Sequence, residues 1–289
     1  MRIASPLLCC GAAVGLLLGS TAHARDLGNL FDSPARVRLP PAKEMVESAF
    51  LNVFAPDSVM MIETVRTKAE GGTENAKFRV LRRSVNGTLR VLTESLAPET
   101  VAGTRVLQIE QLDGMETTFA FVRSLGREPF ETTFRLADPF LCTWYEKDPP
   151  TGGPDMQAMG RHEILARRPD RIADEPVQRV MIRPFVARGY DRIELAIAES
   201  DYAILEYVHF LNPEDTTPSL IATADRKDMV EVGGRVVPRI LRYDDRLLGD
   251  RVVVTVEHAP LPTDFPNLLF EPRSFHRART DGLGEQSEF

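Results

Sequence analysis

KFRVLRRSVNGTLRVLTESLAPETVAGTRVLQIEQLDGMETTFAFVR, residues 77–123, decides the fold class. Lys77 to Ser84, Thr88 to Ser95, Thr104 to Gln111 and Thr117 to Arg123 alternate apolar and polar residues, or nearly so, which is the period of a half-buried strand. Asn86-Gly87 and Asp113-Gly114 fall between them. Both dipeptides tolerate positive φ and close tight hairpins, so the stretch reads as an antiparallel meander.

Working outward, Val59 to Lys68 carries the same alternation and is set off by Glu70-Gly71-Gly72. Further strands are expected at Val177 to Phe185, Arg192 to Ala198, Ala203 to Phe210, Arg226 to Val232, Arg235 to Tyr243 and Arg251 to Glu257, with Gly233-Gly234 closing a hairpin. From Pro41 to Phe54 the apolar residues Met45, Val46, Ala49, Phe50 and Val53 recur at helical spacing. Pro41 suits a first turn and Pro56 a stop, so the spacing predicts an amphipathic helix with one face to bury. Between Phe130 and Pro176 the pattern degrades into Pro- and Gly-rich dipeptides and a charged stretch from Arg161 to Arg171, which reads as a short helix or a mobile loop and in which no element is placed. The proline-punctuated run Pro262 to Phe270 reads as a closing segment.

The N-terminus predicts export. Arg2, the apolar run Leu7 to Leu18 and Ala22-His23-Ala24 make the three parts of a signal peptide, with cleavage after Ala24 and a periplasmic destination. The run is too short to span a bilayer. Cys9 and Cys10 lie too early in it, and lack the small residue before them, to read as lipidation sites. Only Cys142 follows the cleavage point, so no intramolecular disulfide is expected. About 265 residues remain, a length that one all-β domain can reach. The layout expected is a signal peptide over 1–24, a flexible segment over 25–40, one domain over 41–272 and a polar C-terminal tail over 273–289.

A formal net charge of −7, with interspersed signs, argues against a nucleic-acid partner. His162, His209, His258 and His276 are the histidines after residue 24, and none has metal-ligand spacing, so no metal is expected. No nucleophile elbow or phosphate loop appears, and no cofactor is expected. Paired carboxylates at Asp244-Asp245 and Glu214-Asp215 sit in turn-like sequence where solvated charge suffices, and Asn86-Gly87-Thr88 reads as a turn rather than a glycosylation site.

Leu107 with Ile109, Phe119 with Phe121, Ile193 with Leu195 and Ile197, and Val252 with Val254 and Val256 each share one face of a strand. Together they predict one long apolar face. It reads either as a packed core, as every sheet needs, or as a concave surface that holds acyl chains beneath the helix.

Pro98 to Thr104 leading into Arg105-Val106-Leu107-Gln108-Ile109, then Phe119 to Val122, Phe130 to Phe134 through Asp138, Val236 to Ile240 with Asp244 and Gly249, and Phe265 to Phe270 follow one another in an order that resembles the outer-membrane lipoprotein-sorting protein family, the LolA/LolB-like superfamily, in its larger branch. Phe121-Val122-Arg123-Ser124 and Thr132 to Asp138 depart from the family's usual segments. The resemblance implies a mainly β fold, a curved, unclosed, barrel-like antiparallel sheet covered by helices, and a non-catalytic carrier of lipid or acylated protein. Taken with the one-face spacing, it nominates Leu107, Ile109, Phe119, Phe121 and Trp144 as residues of a hydrophobic ligand cavity. An interaction protein without a cavity, docking through 130–176 on an inner- or outer-membrane transport component, stands as the alternative. A hydrolase would use His162, Glu163 and Cys142 as first suspects.

Overall fold

The computed structural model describes residues 39–53, 57–86, 88–110, 116–126, 128–132, 162–184, 190–263, 265–277 and 280. The expected signal peptide, Cys142, Trp144 and the Asp113-Gly114 turn lie outside them.

The described residues form one helix, α1 (Ala42–Val53), and strands β1 (Ser58–Thr67), β2 (Thr73–Val85), β3 (Thr88–Ala97), β4 (Arg105–Glu110), β5 (Glu116–Phe121), β6 (Phe130–Thr132), β7 (His162–Ile172), β8 (Glu175–Pro184), β9 (Arg192–Ala198), β10 (Ile204–Phe210), β11 (Leu220–Thr223), β12 (Met229–Val232), β13 (Arg235–Pro238), β14 (Ile240–Asp245) and β15 (Asp250–Pro260). Thirteen strands make one sheet in the order β6-β5-β4-β3-β2-β1-β15-β14-β11-β10-β9-β8-β7, antiparallel throughout, while β12 and β13 pair as a separate hairpin. The sheet is curved and not closed into a barrel. One wing is the expected meander. The other is a second meander, and β14 and β15 join the two.

The buried stripe of α1, namely Met45, Val46, Ala49, Phe50 and Val53, is the one the periodicity predicts. It joins a single core with Met60 and Ile62 of β1, Phe78 and Val80 of β2, Ile193, Leu195 and Ile197 of β9, and Val254 and Val256 of β15. Strands from both wings reach the same short helix, so the sheet bends around it. This helix-covered side is the inner face.

The opposite, outer face differs between the wings. On β7 to β10 it carries ion pairs: Arg179 meets Asp170 at 2.5 Å, Glu194 at 3.0 Å and also Glu206, and Arg168 meets Glu194 at 3.0 Å. Beside these pairs Val177, Ala196, Ala198, Ala203 and Leu205 form a small core of their own, with Met229 and Val236 of the β12–β13 hairpin packed against it. On the other wing the outer face is apolar, because register aligns Ala259, Val59, Leu81, Leu92, Leu107 and Phe119 in one row across six strands. The chain after β15 covers that row with Leu261, Leu269, Phe270 and Phe275. Three arginines on the sheet hold this segment by its carbonyls: Arg83 donates to Phe265, Arg90 to Phe270 at 2.7 Å and Arg105 to Phe275 at 2.9 Å. Phe275 and Thr280, which the sequence places in a polar tail, are buried.

Three expectations require correction. The charged stretch from Arg161 is not irregular; His162–Ile172 is a full strand. It escaped notice because it is the free edge of the sheet, where Pro169 is tolerated and charged side chains need no burial. Arg226 opens a 3-10 turn, so only Met229–Val232 of the expected strand is extended. Arg235 to Tyr243 is likewise two strands, since Pro238 ends β13 and the chain then crosses to the main sheet as β14.

Candidate functional site

A cavity of about 100 Å³ lies where the end of α1 meets the start of β1, the end of β15 and the β12–β13 hairpin. Val53, Met60, Val232 and Val237 give it apolar walls, and Asn52, Asp57, Ser58, Arg235 and His258 are its polar lining. The hairpin can fold back here because Gly233 and Gly234 both take positive φ, 58° and 75°, as a tight two-residue turn requires. At the hairpin's base, buried Asp228 accepts from Arg242 at 3.1 Å and its carbonyl accepts from the Arg239 amide at 2.8 Å.

The helix ends at the cavity with its last turn tied down. Terminal carbonyls of a helix lack intrahelical partners. Here the fully buried Arg82 donates from Nη1 to the Val53 carbonyl at 2.9 Å, and Asn52 Nδ2 donates to the Asp201 carbonyl at 2.8 Å. The first bond fixes α1 to β2 and the second to the β9–β10 turn.

His258 faces the same space. Its Nε2 lies 3.2 Å from the Pro238 carbonyl, which can only accept, so the proton sits on Nε2. Burial pulls its pKa down from the ordinary 6.5 to about 4; the Pro238 bond opposes that shift and the Arg82 charge adds to it. The ring is therefore neutral at pH 7. As pH falls, the unfolded chain takes up this proton first, so stability drops between about pH 6.5 and pH 4 and levels off below. The shift corresponds to a loss of about 3 kcal/mol. Urea titrations across that range should show the drop, and His258→Gln should flatten it; an unchanged profile in the variant would mean the ring is solvated.

A second, open cleft of about 480 Å³ lies between Phe119, Glu128, Glu131, Pro272, Arg273 and Arg277. Its charges are mixed, and Arg277 and Glu128 already pair at 2.6 Å.

The nominated residues Leu107, Ile109, Phe119 and Phe121 are brought together, but on the outer face beneath the C-terminal segment. Leu107 is 0% exposed there, and Phe119 also borders the open cleft. Ile193, Leu195, Ile197, Val252, Val254 and Val256 belong to the inner core. The single apolar face expected from spacing is thus two faces. Trp144 lies outside the described residues.

Of the hydrolase suspects, Cys142 lies outside the described residues, and His162 and Glu163 are not brought together. His162 is on the inner side, its ring 6.3 Å from that of Phe50, whereas Glu163 is an exposed residue 3.8 Å from Arg183. Adjacent strand residues point to opposite faces. His209 stacks between Tyr190 and Tyr207 at 5.0 and 4.7 Å, as a core histidine. Among the described residues no group of three His, Cys, Asp or Glu could hold a metal, and no helix is long and apolar enough to cross a membrane. Sequence reasoning missed Arg235, Arg82 and His258, which become neighbours only through the hairpin and the helix end.

No family model matches the chain, and no curated protein matches it. Solved structures do share its fold. A domain from Vibrio parahaemolyticus described as an outer-membrane lipoprotein-sorting protein superposes with a TM-score of 0.64 at 13% identity, over 81% of this chain and 98% of that one. A DUF1329 family protein from Desulfovibrio piger gives 0.61 at 11% identity, over 80% and 97%. A LolA superfamily protein from Nitrosomonas europaea gives 0.59 at 15% identity, over 80% and 98%.

Proposed function

We propose that this chain is an exported, non-catalytic carrier or binder of hydrophobic molecules, with lipid or acylated protein as cargo, and that its ligand enters beside the end of α1. The observation that carries the reading is the apolar-walled cavity at a junction of α1, β1, β15 and a two-stranded hairpin outside the main sheet. A cavity there can enlarge by movement of the hairpin without breaking the ladders of the thirteen-stranded sheet. The fold shared with lipoprotein-sorting structures supports the same reading. Covering acyl chains is what moves them through water, at about 0.8 kcal/mol per buried methylene.

Val232 is half-buried and lines the cavity, so Val232→Trp fills it at small risk to the core. In a displacement assay with a fluorescent fatty acid, the unaltered protein should bind and Val232→Trp should lose at least about tenfold in affinity. Equal binding by both would move the ligand elsewhere.

The second reading, an interaction protein without a ligand, draws on two observations. The cavity is smaller than the roughly 300–1,000 Å³ of ordinary ligand pockets. In addition, Leu247 and Leu248 at the tip of the β14–β15 hairpin are 65% and 58% exposed, a presentation suited to docking.

A further inference from the structure

Arg235 is unlike the other shielded arginines. Arg79 and Arg105 meet Glu94, Arg90 meets the Phe270 carbonyl, Arg82 the Val53 carbonyl, and Arg179 three carboxylates. Arg235 lines the cavity with its Nη1 shut off from solvent and without a hydrogen-bond partner among the described residues. A guanidinium presents five donors in a planar fork that matches carboxylate and phosphate oxygens, and burying it unpaired is costly.

The surroundings do not supply the missing anion. Asp57 is the one carboxylate on the cavity lining, and it is half exposed and lies 3.8 Å from Arg83. His258 is neutral, and the Arg82 charge is close enough to influence it. The cavity therefore presents the Arg235 guanidinium, with no carboxylate bonded to it, among apolar walls. Its volume of about 100 Å³ takes a few waters or one headgroup, and no long chain unless it opens.

We propose that this cavity is an oxyanion site, in which the Arg235 guanidinium takes the carboxylate or phosphate headgroup of an amphiphile whose first carbons lie against Val53, Met60, Val232 and Val237. The choice of an amphiphile rests on the carrier reading above; the oxyanion chemistry rests on Arg235 alone. Burial also lowers the pKa of Arg235.

Isothermal titration of the full mature chain with decanoate, decyl phosphate, 1-decanol and inorganic phosphate tests this, alongside Arg235→Gln and Arg235→Lys. The expected result is decanoate or decyl phosphate binding at least about tenfold tighter than 1-decanol, with the preference lost in Arg235→Gln and partly kept in Arg235→Lys. Should the Gln variant fail to fold by circular dichroism, the preference in the unaltered chain and its weakening in Arg235→Lys carry the test. Inorganic phosphate binding as tightly as decyl phosphate, and depending on Arg235, would keep the oxyanion site and replace the amphiphile with a free anion. Equal affinity for decanoate and 1-decanol in all forms would overturn the oxyanion site and leave the carrier reading intact. No binding of any probe would also overturn it, while lipid recovered from the purified protein would still support the carrier.

Discussion

A chain ending at Leu261 is expected not to fold. The deleted stretch supplies Leu269, Phe270 and Phe275, all 0% exposed in the outer core. Each fully buried side chain of this kind contributes about 1.5–3 kcal/mol, so the three together contribute roughly 4–9 kcal/mol. That is comparable to the whole stability of a typical domain, about 5–15 kcal/mol. The deletion also removes the carbonyl acceptors of Arg83, Arg90 and Arg105 and leaves the row from Val59 to Phe119 open to water. Circular dichroism and size exclusion should show an unfolded or aggregated product. A truncated chain that melts cooperatively near the temperature of the full one would show that the outer face needs no cover.

Glu94→Ala has the second largest expected effect. The Glu94 side chain is 9% exposed; Oε1 accepts from Arg105 at 2.8 Å, and Oε2 accepts from Arg79 at 3.1 Å and from Thr280 at 2.6 Å. One carboxylate thus links β2, β3, β4 and the C-terminal segment. Removing it takes the counter-charge from two shielded guanidinium groups, and breaking a buried pair from one side costs about 3–5 kcal/mol. Urea denaturation should show that loss, with Glu94→Gln losing less because it keeps the acceptor oxygen. A loss below about 1 kcal/mol would place the cluster among solvated surface pairs instead.

The strands were legible where one face is buried and the other is wet. Ser58–Thr67 and Arg192–Ala198 fall within a residue of their expected bounds for that reason. Alternation fails at an edge, as in β7 with Arg167, Arg168, Asp170 and Arg171, and it fails for the four residues of β11 after a proline-punctuated loop. Periodicity also says that Leu107, Ile109, Phe119 and Phe121 share a face without saying which. Both faces of the first wing are apolar, so whether the helix or the C-terminal segment covers a given row depends on the path of the chain. The cavity was illegible for a related reason. Nothing local distinguishes Arg235 after Gly233-Gly234 from an exposed hairpin arginine; the fold alone sets it on one cavity with the end of α1, nearly two hundred residues earlier in sequence.

Native mass spectrometry of the protein purified from its own cells, with extraction and identification of whatever comes off, tests the carrier reading most directly. The account predicts an acyl-bearing species near one per chain, carrying a carboxylate or phosphate and absent from Val232→Trp. A bare protein mass that stays bare after incubation with lipid vesicles would contradict it and favour a docking protein without cargo.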